Sequence, residues 1–254
     1  MSLDESTKNL LTDIAENIPK VKQQGYDEGY GEGRTDEWSD FWDVFQQGGN
    51  RKNYSNAFYD EERKTWTAEN FKPKHSIKPT SLNGAFLGLQ VTDFAKVFEN
   101  RGIEFDTSQC TNMNGAFSHH TYNTRLPIID LSSATNINLM CRYNYYLQKI
   151  DKIIWSETIK NATNPFLDCQ RLEEFESEGK LAISISFSYS PLTVETAIGL
   201  MLCLKNFAGT TNAGLNTLTL NDNTKAAMAE LGAIEEFNNK TYTEYLASIG
   251  WVLG

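Results

Sequence analysis

The groups in this chain that could do chemistry are three histidines, four cysteines and many carboxylates. His119 and His120 are adjacent and would make half a metal site. No third ligand falls at helical or alternate-residue spacing from them, and their loop is rich in Ser, Tyr and Asn. The pair therefore reads as a solvent-exposed turn. His75 lies among lysines and prolines and reads as surface. Cys110, Cys141, Cys169 and Cys203 form no Cys-x-x-Cys pair, so zinc-ribbon and thioredoxin chemistry fall away. Three of them recur at similar intervals, and buried, reduced thiols are the expectation.

No nucleophile elbow, phosphate loop, dinucleotide fingerprint, zincin or EF-hand spacing occurs. Gly29-Tyr30-Gly31-Glu32-Gly33 is glycine-rich but follows a helical pattern, whereas a phosphate cradle follows a strand. Carboxylate neighbours such as Glu173-Glu174 are too common in this acidic chain to mark a glycosidase pair. The sequence thus assigns no catalytic residue, no metal ligand and no cofactor. One aromatic cluster remains: Tyr143, Tyr145 and Tyr146, with Arg142 beside them. Rigid rings with polar tips suit protein and sugar contacts. The competing expectation, slightly favoured by the sequence, is that alternate tyrosines pack inside.

The formal net charge of −10 repels phosphate backbones, so nucleic acid is not an expected partner. No basic cluster suits a membrane surface, no apolar run would span a bilayer, and no secretory signal pattern opens the chain. Composition is that of a globular protein, with 40% hydrophobic and 22% charged residues.

The elements that must position the tyrosines begin with a stalk, predicted over 1–49. Leu11, Ile14, Ile18 and Val21 follow coiled-coil spacing, interrupted by Pro19. Gly25, Gly29 and Gly33 recur every four residues. They read either as a smooth ridge for close packing of identical helices or as a hinge. The first reading makes these seven residues the candidate oligomerisation surface. A further helix starts at Thr35, carries Trp38, Phe41, Trp42 and Phe45 on one face, and ends at Gly48-Gly49. It is expected to cap the next domain.

Internal repeats dominate residues 50–190. Asn56-Ala57-Phe58, Asn83-Gly84-Ala85-Phe86 and Asn114-Gly115-Ala116-Phe117 share one core word. A second word, Asp106 to Asn114, matches Asp130 to Asn138 at an offset of 24 residues, and a looser copy starts at Ile154. Phe117 is followed at about that interval by Cys141 and then Phe166. The period falls in the leucine-rich-repeat range. Each unit offers a short strand, a turn rich in Ser, Thr and Asn, and an apolar plug that only stacking can bury. Ile128 to Leu131 and Ile150 to Trp155 read as strands, and Val91 to Arg101 reads as an inserted helix capped by Gly102. Residues 191–254 change character. A helix is expected from Ser190-Pro191, a strand over Leu215 to Leu220, helices over Lys225 to Leu231 and Thr241 to Ser248, and a closing strand over Gly250 to Leu253. The fold class read from this pattern is α/β: an irregular leucine-rich-repeat-like solenoid with an N-terminal helical stalk and an α/β C-terminal cap.

These words, together with Phe166 to Leu172 and Ser188 to Thr193, resemble BspA-type leucine-rich repeats. A closer resemblance is to repeat proteins of phages and prophages of gut Firmicutes, through Asp13 to Val21, Glu37 to Phe45, Gly48 to Tyr54, Asn70 to Lys74 and Gly250-Trp251. The chain departs from a strict BspA-type repeat in its short ladder and inserted helix. The resemblance implies a structural or host-contact role. The expectation is a non-enzymatic virion protein of the tail, baseplate or particle surface, assembled in the host cytoplasm as a homo-oligomer. Its partners would be other virion proteins or a host-surface glycan or protein. A bacterial surface adhesin and a carbohydrate-active enzyme are the alternatives.

Overall fold

The computed structural model describes residues 76–254, a mixed α/β chain in which the strands pair in parallel. The predicted stalk, with Leu11, Ile14, Ile18, Val21, Gly25, Gly29 and Gly33, lies outside the described residues, as does the first part of the repeat region.

Offsets of 24 and 25 residues become register. Strand β3 (Lys149–Trp155) is the centre of one sheet. On one side it pairs with β1 (Arg125–Leu126) and β2 (Ile129–Asp130), aligning Arg125 with Lys149 and Ile129 with Ile153. On the other it pairs with β4 (Glu174–Gly179), aligning Lys149 with Glu174 and, past an irregularity at Asp151, Trp155 with Gly179. The same parallel registration continues as single bridges through Ser81, Asn112, Asn136 and Asn161.

Polar side chains of the repeated words serve the turns. The Asn112 and Asn136 side-chain oxygens accept from the backbone amides of Asn114 and Asn138, each at 3.1 Å. The Thr135 hydroxyl donates to the Thr111 carbonyl at 3.1 Å, and Thr158 to Ala134 at 2.8 Å, both 24 residues back. Backbone groups between successive turns are thereby satisfied without long strands.

The same register builds the core. The amides of Phe86, Phe117 and Cys141 donate to the carbonyls of Ala116, Met140 and Pro165. That places Phe86, Phe117, Cys141 and Phe166 at one position in successive turns. The Phe86 ring stacks on Phe117 at 5.6 Å and 11°, and Phe166 stacks on Phe187 at 4.6 Å and 21°. The cysteines do not form a single column. Cys141 takes the place of a ring, whereas Cys169 is offset from it and directs its thiol to the Cys141 carbonyl at 3.0 Å. All four are free and buried.

The inserted helix α1 (Phe94–Glu99) is capped by Asp93, and Gly102 follows it at φ 61°. It drives Phe94 and Phe98 into the ring cluster, with Phe94 at 4.9 Å from Phe86 and 5.5 Å from Phe117. Arg125 ties the helix to the sheet through Glu99 and Asp151, both at 2.7 Å.

The C-terminal elements form a second parallel sheet, β5 (Ile185–Phe187), β6 (Asn216–Leu220) and β7 (Trp251–Leu253), in that order. Strand β5 precedes residue 190 and pairs with β6 beyond it, so one core crosses that position. Helix α2 (Val194–Leu202) starts later than Ser190-Pro191, because the Thr193 side chain accepts from the Thr196 amide and fixes the N-cap there. Helix α3 (Asp222–Leu231) starts earlier than expected, capped by Asn221. Helix α4 (Tyr242–Ser248) opens with a Thr241–Glu244 capping box. Among the described residues no helix is long and apolar enough to cross a membrane.

Candidate functional site

Three successive turns at one edge of the repeats bring the aromatic residues together. Each turn contains a residue in the left-handed region: His119 at φ 61°, Tyr143 at φ 62° and Asp168 at φ 60°. The His119 amide donates to the Arg142 carbonyl and the Tyr143 amide to the Leu167 carbonyl, both at 2.8 Å, so the turns are stacked by the backbone itself.

Two rows of rings result. In the first, His119 meets Tyr143 edge-on at 4.9 Å, and Tyr143 lies beside Tyr145 at 6.0 Å. The Arg142 guanidinium sits 4.1 Å over the Tyr143 ring and donates to its hydroxyl. In the second row, Tyr122 lies parallel to Tyr146 at 6.5 Å and 17°, and the Arg171 guanidinium covers Tyr146 at 4.5 Å. Tyr122, Tyr145 and Tyr146 are exposed, at 54%, 38% and 44%. The expectation that alternate tyrosines pack inside is therefore corrected: the turn points Tyr145 and Tyr146 outward, and Asn144 and Leu147 are the residues buried around them.

Sequence reasoning missed Tyr122 and Arg171. The signal was available in the repeat offset, since Tyr122, Tyr146 and Arg171 stand 24 and 25 residues apart along the chain.

The adjacent histidines separate. His119 is exposed, and partial burial with the nearby Arg142 charge lowers its pKa. His120 is fully buried, which corrects the expectation that both lie in a solvent-exposed turn. Its amide donates to the Asn144 side chain at 2.7 Å, and its Nε2 contacts the Phe86 carbonyl. Nε2 then carries the proton, and among the described residues Nδ1 has no hydrogen-bond partner. Burial pushes the His120 pKa down to about 4. Beneath the rings, Asn123 accepts from the Phe94 amide at 2.9 Å, coupling the edge to α1. Among the described residues no three His, Cys, Asp or Glu side chains are grouped to hold a metal ion.

What this edge can do is present preformed aromatic and cationic surface with little left to order. Comparison with known protein families, curated proteins and solved structures finds no match to this chain.

Proposed function

We propose that this chain is a non-enzymatic binding scaffold, an irregular leucine-rich-repeat-like solenoid that holds its partner along the tyrosine edge. The observation that carries this reading is the register of Tyr122, Tyr146 and Arg171 on successive turns, with the rings exposed and already stacked. Stacked rings lose few rotamers on binding, and their hydroxyls and Arg171 offer polar contacts at the rim. A glycan or a protein loop of a neighbour suits such a surface. The sequence resemblance extends the proposal to a phage particle, in which the N-terminal helices would anchor and oligomerise the chain and the repeats would face a virion protein or a host surface.

The test is a glycan array and immobilised host cell-wall polysaccharide, probed with the full chain and with a Tyr122→Ala/Tyr146→Ala variant. Exposed tyrosines contribute little to folding, so the variant should melt within a few degrees of wild type. Binding by wild type and its loss in the variant supports the edge. Equal binding by both rejects it. Light scattering addresses the stalk: the full chain should be a multimer and a chain starting near Asn50 a monomer, and equal oligomeric states reject the anchor.

A further inference from the structure

Strand β4 has a second edge, and the fold leaves its middle open. Alternate residues of a strand direct their backbone groups to opposite sides. The Glu174 amide points to β3 and donates to the Gln148 carbonyl at 3.2 Å. The Glu173 amide shares that carbonyl at 3.0 Å, and from Phe175 on the odd-numbered residues face the other way. The Glu173 carbonyl accepts from the Thr193 amide at 2.9 Å, and the Phe175 amide donates to the Thr196 hydroxyl at 3.4 Å. Further along, the Leu181 amide donates to the Cys203 carbonyl and its carbonyl accepts from the Lys205 amide, both at 2.8 Å. Between these two anchor points lies Ser177, whose backbone on the outward side has no partner among the described residues.

The reason is a change of element. On earlier turns the next turn of chain lies alongside and fills this edge, as β3 does for β1 and β2 and β4 does for β3. After β4 the chain passes through β5, which joins the other sheet, and then lays helix α2 beside β4 instead. Its first residues reach the strand's start, but its axis cannot supply a ladder of amides and carbonyls. What remains is an open groove of about 540 Å³ between β4 and α2, floored by Phe175 and Ser177 and walled by Thr196 and Gly199.

The charge of the groove specifies an occupant. Glu174, Glu176, Glu178 and Glu195 line it, with Asp151 and one lysine, Lys149. Lys152 is shared by Glu176 at 3.4 Å and Glu178 at 2.9 Å, and Glu195 has no ion pair among the described residues. The opposite edge of the same strand shows what these glutamates accept. There β3 runs parallel to β4 and places Lys149 at 3.3 Å from Glu174, with Lys152 on the next two glutamates.

We propose that this groove is a strand-addition site for an extended, lysine- or arginine-bearing peptide segment of a partner protein, lying parallel to β4 and bonding to Ser177. The site is independent of the tyrosine edge. Main-chain bonds would supply affinity, and cationic side chains at alternate positions would supply selection. About five residues of strand, at roughly 3.3 Å each, would span Glu174 to Glu178.

The experiment uses the full chain and three labelled, acetylated hexapeptides, followed by fluorescence anisotropy and by hydrogen exchange of the Ser177 amide. The first peptide alternates lysine with valine. The second is the same peptide with alternate backbone amides N-methylated. The third carries glutamate in place of lysine. The lysine peptide should bind saturably and slow exchange at Ser177. N-methylation should weaken binding at least tenfold, and so should Glu176→Lys/Glu195→Lys in the protein, both exposed positions whose change leaves the core intact. The acidic peptide should not bind. Equal binding of the N-methylated peptide would mean charge attraction alone and would overturn the proposal. Absence of saturable binding would overturn it too. So would a Ser177 amide already protected before peptide is added, because another segment of this chain would then fill the groove.

Discussion

Removing the ring of Phe117 is the sharpest perturbation of the stacked core. Phe117 is fully buried. Its ring lies on Phe86 at 5.6 Å and meets Phe94 at 5.5 Å, Phe105 at 6.1 Å and His120 at 5.9 Å. A buried phenylalanine cut to alanine costs about 3–5 kcal/mol, through lost transfer energy and the cavity left behind. With rings on several sides the cavity cannot collapse easily, so Phe117→Ala should cost about 4 kcal/mol. Phe117→Leu keeps most of the volume and loses mainly ring–ring geometry, which predicts about 1–2 kcal/mol. The diagnostic quantity is coupling. A double-mutant cycle between Phe86 and Phe117 should show about 1 kcal/mol of interaction. A cycle between Phe117 and Phe187, which stacks on Phe166 further along, should be additive within about 0.5 kcal/mol. The assay is urea unfolding of the full chain, with leucine versions of each pair should an alanine variant fail to fold. A cost below about 1 kcal/mol for Phe117→Ala, or equal coupling to Phe86 and Phe187, would refute the stacking argument.

Three further outcomes follow from particular residues. His120 has a folded-state pKa of about 4 against an ordinary value of about 6.5, so the unfolded chain binds the extra proton first. Its contribution is intact above pH 6.5 and is lost as pH falls from 6.5 to 4, totalling about 3 kcal/mol; His120→Gln should remove that part of the pH dependence of unfolding, and an unchanged profile would refute it. Burial raises the pKa of all four thiols, Cys110 to about 11, so Ellman's reagent at pH 8 should label none in the native chain and four after unfolding; one fast-reacting native thiol would contradict this. A methyl group at Gly179, φ 77°, would come within 2.2 Å of the Trp155 carbonyl oxygen, whereas at Gly115, φ 58°, its nearest neighbour is at 4.0 Å. Gly115→Ala should therefore cost about 1 kcal/mol of backbone strain and Gly179→Ala about 3 kcal/mol or more, and equal costs would show that the close strand approach is relieved elsewhere.

The repeat register was legible because it rests on residues that must recur. Phe86 and Phe117 are flanked by the same word, and the Thr and Asn positions bond across the same offset. Strands with apolar runs, such as Ile150 to Trp155, were equally readable. Strand β4 was not, since Glu-Phe-Glu-Ser-Glu-Gly buries only Phe175 and takes its order from lysines on β3. Strand β5 escaped notice because three residues carry too little periodicity. His120 was misread because its burial comes from contacts far away in sequence, the Phe86 carbonyl above all. Tyr122 and Arg171 lie between the apolar plugs and the polar turns, where the offset persists but residue type does not, since Arg171 stands where the preceding turns carry Tyr122 and Tyr146.

Those intervening residues are where the functional argument gains its force. The left-handed position in each turn is occupied by Gly88, then His119, Tyr143 and Asp168. Glycine adopts that conformation without strain, while a side-chain-bearing residue pays about 1 kcal/mol there. The first turn keeps glycine, and the neighbouring left-handed column likewise passes from Gly84 and Gly115 to Leu139 and Asn164. Three successive turns carry side chains instead, and two of these carry rings that meet at 4.9 Å beside the exposed Tyr145. The same turns also project Tyr122, Tyr146 and Arg171 in register. Stacking of the core fixes where each turn stands but leaves the identity of the outward residues free. The proposed binding edge would account for the rings of His119 and Tyr143 at left-handed positions, and for Tyr122, Tyr146 and Arg171 beside them, which lie outside that region.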